Sequence, residues 1–176
     1  MASDKIITCL WFSDNNAEEA ARFYTSVFNS APGLSESTAP SKILHTQRYP
    51  DDPALCHRSE PGSVMVVRFD LRGHPFVGLN GGKQGFGFSH AVSFQVVCDS
   101  QEEVDHFWEK LTEGEGATEV ECGWLTDKFG VSWQVSPRLL LEYLSCGDPE
   151  KTQRVTTEMF KYKKFDIAAL TKAFEG

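Results

Sequence analysis

A chain of 176 residues, 40% of them hydrophobic, is long enough to bury a core in one domain or two small fused modules. With a formal net charge of -8 and no basic stripe, it lacks the clustered Lys and Arg that release counterions from a polyanion, which sets aside nucleic acid and anionic membrane surfaces as partners. No run reaches the roughly 18 apolar residues that span a bilayer. The start MASDKIITCLWF has no long apolar stretch behind a basic end, as a secretory signal would. Cys9, Cys56, Cys98, Cys122 and Cys146 are odd in number and form no CxxC pair, so reduced thiols in a cytoplasmic protein are expected.

Residues 5–12 are rich in β-branched and aromatic side chains and read as a strand, followed by a polar turn at 13–16. Residues 17–28 read as a helix, because Ala17, Ala20, Ala21, Tyr24, Val27 and Phe28 recur at intervals of three and four. Residues 29–61 are loop-like around a strand at 42–49. Residues 63–71 and 75–79 form a hairpin about Gly73, ending in Asn80-Gly81-Gly82. The pattern then repeats. Residues 91–98 read as a strand, 100–111 as a helix with Val104, Phe107, Trp108 and Leu111 on one face, and further strands run up to Val135. Each half reads β-α-β-β-β, and such an internal duplication implies two modules whose sheets curve around a shared cleft.

The stretches LWFSDNNAEEAARFYTSVF, FVGLNGG, SFQVVCDSQEEVDHFWEKL, CGWLTDKFGVSWQVSP and MFKYKKFDIAALTKAF resemble the PhnB-like branch of the vicinal oxygen chelate superfamily, the glyoxalase and bleomycin-resistance fold. That branch is often labelled as resembling a demethylubiquinone methyltransferase. The resemblance implies an α+β fold of paired βαβββ modules forming an incomplete eight-stranded barrel with a concave cleft. It also implies a homodimer, and one domain made of modules at about 5–82 and 88–137 with a helical segment at 138–176. Metal-dependent members hold a divalent ion on four side chains from the first and last strands of each module. Carried over, these positions fall at Ile7, Gly78, Ala91 and Gln134. Only Gln134 has a donor, and a divalent ion wants three or four, so neither a metal nor another cofactor is expected. His90, one residue from Ala91, rescues a partial site only if the strand register slips by one.

Strand alternation sets Ile7, Cys9 and Trp11 on one face, with Ala91, Ser93 and Gln95, and Ser132 with Gln134. Val92, Phe94, Val96, Trp133 and Val135 take the helix-covered face. Asn80 has the parity of Gly78 and joins the cleft. The expected ligand-binding set is therefore Cys9, Trp11, Asn80, Ser93, Gln95, Cys122, Trp124, Ser132 and Gln134. His45, on a strand beside the cleft, is the candidate catalytic acid or base. Cys9 and Cys122 are candidate nucleophiles without an assignable base, and Cys56-His57 is a further candidate dyad. Asp127, in the DKFG turn, reads as a turn-fixing residue.

Two function classes follow. The first is a metal-independent small-molecule binding protein. The second is an enzyme of the same fold that isomerises, rearranges or cleaves a small metabolite by side-chain acid/base chemistry. No Gly-rich loop after a strand is present to cradle S-adenosylmethionine, which weakens the methyltransferase label.

Overall fold

The structure, a computed structural model, describes residues 6–35, 38–56 and 59–176. The chain divides into two compact units, one running as far as Ser30 and again over Leu34–Phe88, the other over Ala31–Gly33 and Ser89–Gly176.

The first unit comprises β1 (Thr8–Phe12), α1 (Ala17–Asn29), β2 (Lys42–Arg48), β3 (Val64–Leu71) and β4 (His74–Asn80). Its sheet has the order β1-β4-β3-β2, with β1 parallel to β4 and the other pairs antiparallel. Alternation in β1 and β3 sends Leu10, Phe12, Val67 and Phe69 to one face, where they are buried against the Ala20, Ala21, Tyr24 and Val27 stripe of α1. Phe69 and Phe76 stack there with centroids 5.1 Å apart. Each such side chain contributes about 1.5–3 kcal/mol when fully buried. Gly78 lies at the closest approach of helix and sheet, since a Cβ there would come within 3.1 Å of the Ala17 Cβ.

The second unit repeats the plan with β5 (Phe94–Cys98), α2 (Gln101–Leu111), β6 (Thr118–Glu119), β7 (Trp124–Thr126) and β8 (Ser132–Pro137), in the order β5-β8-β7-β6. Helix α2 is capped reciprocally: the Ser100 hydroxyl accepts from the Glu103 N–H, and the Glu103 carboxylate accepts from the Asp99 N–H. Three further helices follow, α3 (Arg138–Leu144), α4 (Pro149–Met159) and α5 (Ile167–Glu175). They close over Leu140, Val155, Phe165 and Leu170. The two modules are therefore α+β, each an open four-stranded mixed sheet with its own helix. Among the described residues, no helix is long and apolar enough to cross a membrane.

One boundary differs from the sequence reading. The strand expected at 91–98 starts only at Phe94, because the first ladder pair with β8 is Phe94 with Trp133. Ala91 and Val92 have no strand beside them, and Val92, expected on the helix-covered face, is 70% exposed.

The turn before β8 is organised by Asp127, which is fully buried. Its Oδ1 accepts from the Phe129 and Val131 N–H groups at 2.9 and 3.0 Å, and its Oδ2 accepts from Trp133 Nε1 at 2.8 Å. The carboxylate thus accepts from these three donors at once. Asp127→Asn puts an amide N–H against one of those donors, and unfolding in urea should show a loss of about 1–3 kcal/mol, the cost of leaving a buried group unpaired. An unchanged midpoint would remove Asp127 from this role.

Candidate functional site

Each sheet packs α1 or α2 on one face, and among the described residues neither of these helices packs on the other, the free face. In the first unit the cross-strand register builds two rows on the free face. One runs His45, Arg68, Val77 and Cys9, and the next runs Gln47, Val66, Leu79 and Trp11. Val66, Val77, Leu79 and Trp11 are half-buried, while His45, Arg68 and Cys9 are exposed. Trp11 is held from behind. Its indole Nε1 donates to the Gly82 carbonyl at 3.0 Å, and its ring lies so close over Gly81 that a Cβ there would sit 2.1 Å away.

His45 reaches this face through a β-bulge. Ile43 pairs with Phe69 on the helix side, and the register then shifts so that His45 pairs with Arg68. The Arg68 side chain has no ion pair or hydrogen bond with any described residue. Two residues along the same face, Asp70 is engaged by the β3–β4 turn, accepting from the Gly73 N–H at 2.6 Å.

Asn80 does not belong to the free face, contrary to the expectation from sequence. It is 1% exposed on the helix side, where its Oδ1 accepts from the Ala17 N–H at 3.0 Å and its Nδ2 donates to the Val64 carbonyl at 2.9 Å. The error came from Gly78, whose parity Asn80 shares and which faces α1. The register instead sets Val77 and Leu79 opposite Cys9 and Trp11.

In the second unit the expected face is assembled. Gln95, Gln134 and Trp124 form one cross-strand row, and Ser132 and Thr126 lie in the next. Gln134 Nε2 donates to the Ser93 hydroxyl at 2.8 Å, and Gln95 Nε2 donates to the Ser136 hydroxyl at 3.1 Å. Ser136 was missed from sequence, although it continues the alternation of Ser132 and Gln134. The face is largely closed to solvent at β8, since Ser132 and Ser136 are 2% and 4% exposed. The Ser132 hydroxyl is buried without a hydrogen-bond partner among the described residues. The His90 ring sits 6.0 Å from that of Trp124, near the same row.

Cys122 is not on this face. Its backbone N–H donates to the Tyr162 carbonyl, its thiol points to the Met159 carbonyl at 3.8 Å, and it packs on the C-terminal helical cluster. Cys56 directs its thiol to the Pro50 and Asp52 carbonyls, while its sequence neighbour His57 lies outside the described residues.

The donor set does not fit a divalent ion. Ile7 and Ala91 carry no donor, Gly78 and its open-face neighbours Val77 and Leu79 carry none, and Gln134 offers one amide. Among the described residues, no three His, Cys, Asp or Glu side chains converge as metal ligands would. A groove of about 770 Å³ does exist away from both sheets, lined by Arg154, Glu158, Tyr162 and Lys172 of the α4–α5 region.

The thiols are poorly suited to attack. Desolvation pushes the Cys9 thiol above its ordinary pKa, even though its surface remains open to solvent, and desolvation with the nearby Glu121 charge does the same to Cys122. A nucleophilic cysteine needs the opposite shift, since the thiolate is the reactive form. At neutral pH both thiols remain protonated, and iodoacetamide should alkylate Cys9 and Cys122 more slowly than it alkylates glutathione. Peptide mass spectrometry that showed either reacting faster would reinstate it as a nucleophile.

A family model described as 3-demethylubiquinone-9 3-methyltransferase matches residues 4–136. No match is found among curated proteins. Among solved structures, the PhnB protein of Bacillus cereus, itself described as a 3-demethylubiquinone-9 3-methyltransferase, is 32% identical with a TM-score of 0.62, covering 76% of this chain and 99% of its own. A protein of Pseudomonas aeruginosa is 20% identical with a TM-score of 0.55, over 77% of this chain and 98% of its own. The fosfomycin resistance protein FosX of Listeria monocytogenes is 18% identical with a TM-score of 0.50, over 82% of this chain and 99% of its own. The last two show the fold alone, two modules that each carry an open four-stranded mixed sheet and a helix. The chain belongs to the 3-demethylubiquinone-9 3-methyltransferase family, of which the PhnB protein of Bacillus cereus is a similar member.

Proposed function

We propose that this chain is a small-molecule binding protein that holds its ligand with side chains, not through a metal, on the free sheet faces. The observation that carries the reading is the Ser132 hydroxyl, which lies beside Gln134, is 2% exposed and has no hydrogen-bond partner among the described residues. A buried, unpaired polar group costs about 1–3 kcal/mol, and a bound ligand offering it a partner would offset that cost. The amide–hydroxyl pairs Gln134–Ser93 and Gln95–Ser136 support the same reading, since each fixes an amide while its carbonyl oxygen accepts no bond from a described residue. No other cofactor is invoked. A cytoplasmic homodimer is the form we infer, with Phe160, 66% exposed, among the apolar surface left for a partner copy.

An enzyme acting on a small metabolite is the second reading. It is favoured by His45, which pairs across the strands with Arg68 and so places an imidazole-bearing residue opposite a permanent cation. Methyl transfer has less support, since the chain's Gly81 and Gly82 are occupied in packing the Trp11 ring.

Native mass spectrometry of freshly purified protein identifies any retained compound, and titration with that compound then tests the face. Gln134→Leu should preserve folding and weaken binding by about 1–3 kcal/mol. Lower melting temperature with unchanged affinity would assign Gln134 to the sheet alone. Ser132→Ala should raise the melting temperature of the free protein while weakening the same ligand, whereas unaltered affinity would remove Ser132 from the site. Light scattering should give twice the 19.7 kDa chain mass, and a monomer at micromolar concentration would overturn the dimer.

A further inference from the structure

Three features near the free face of the first sheet converge on one ligand chemistry. Arg68 lies on β3, between β4 and β2, with its side chain exposed. It is bounded along its own strand by half-buried Val66 and across the ladder by half-buried Val77. Its exposed guanidinium stands beside these aliphatic side chains, and no ion pair or hydrogen bond links the Arg68 side chain to any described residue. The nearest acid on the face in register terms, Asp70, already accepts from the Gly73 N–H, and no ion pair joins the two side chains.

The second feature is the bulge. Without it, His45 would share the helix side with Ile43, two residues earlier. The register shift between them turns His45 out to lie directly across from Arg68, adding donor capacity without adding an acid. The third is the apolar floor, where Val66, Val77 and Leu79 run up to the Trp11 ring that Gly81 and Gly82 hold in place. A flat aromatic or aliphatic body fits that floor, and an anionic head fits the guanidinium fork, which matches carboxylate and phosphonate oxygens two at a time.

We propose that the free face of the first sheet binds a small organic anion, with Arg68 engaging its carboxylate or phosphonate head, His45 flanking that head, and the body resting on Val77, Leu79 and Trp11. This rests on the reading of the free faces as ligand surfaces and adds the charge of the ligand.

The probes are benzoate, phenylphosphonate and the neutral benzamide, titrated separately into isotopically labelled protein and followed by amide and indole NMR shifts. Benzoate or phenylphosphonate should move the Arg68 and Val77 amides and the Trp11 indole, and the stronger of the two identifies the head group. Benzamide should bind the same face at least tenfold more weakly. Arg68→Gln, a change on an exposed side chain that leaves the amide spectrum dispersed, should weaken the anion at least tenfold and leave benzamide unchanged, with Arg68→Lys intermediate. Equal binding of benzoate and benzamide would sink the anion inference while leaving the face as a ligand surface. Anion affinity unmoved by Arg68→Gln, shifts confined to the Arg154 groove, or no response to any probe would each overturn it as well. The ligand reading itself is decided separately, through Gln134 and Ser132 in the second sheet.

Discussion

A single buried carboxylate decides which way the last strand of the second module faces. Asp127 draws the Trp133 indole inward and gathers the turn amides of Phe129 and Val131 at the same time. Once Trp133 is committed to the core, strand alternation leaves Ser132, Gln134 and Ser136 no choice but the other side. The polar face is thus a consequence of a hydrogen bond made behind it. The arrangement is strict because a strand can be wrong only by a whole face: slipping it by one residue would bury the glutamine and expose the tryptophan.

Asn80 does comparable work in the first module by different chemistry. Its side chain satisfies the first N–H of α1, which Asn16 leaves uncapped, and ties that helix start to β3, while its own carbonyl accepts from the Tyr49 hydroxyl. In each module one fully buried polar residue therefore couples turn, helix or strand into a rigid support. The free faces carry what those supports leave over, and the two faces differ in character. The first sets a cation in an apolar field, whereas the second presents amides and hydroxyls around Trp124.

Much of this was legible in the sequence because the repeating β-α-β-β-β pattern is carried by apolar periodicity. The stripe of α1 from Ala17 to Phe28 and the alternation of β8 were both read to the right face. Asp127 was also read as a turn residue, and its buried bonds to the turn amides agree. What misled was transfer by register. Taking Gly78 as an inward-facing ligand position carried Asn80 with it, yet a glycine at that point is required by the close approach of α1 and not by the cleft. Arg68 escaped notice for a related reason. In VMVVRFDL it looks like an ordinary solvated charge, and only the pairing with Val77 and His45 reveals its company. Bulges such as that in β2 leave no reliable trace in composition, so the facing of His45 was beyond reach of alternation alone.

The bulged β2 strand also has a bearing on how such a protein can change over generations. Among the described residues it lies at one edge of its sheet, with β3 on one side and no further strand on the other. Two register shifts already interrupt its ladder, one between Ile43 and His45 and one between Gln47 and Arg48. Gaining or losing a residue there moves the slack from one interruption to the next without disturbing β3, β4 or the helix packed on them. Such a change would swap which side chain stands across from Arg68 while the supporting core stayed as it was. Relatives sharing this scaffold can therefore diverge in what they select through small edits to one marginal strand, with little demand on the interior.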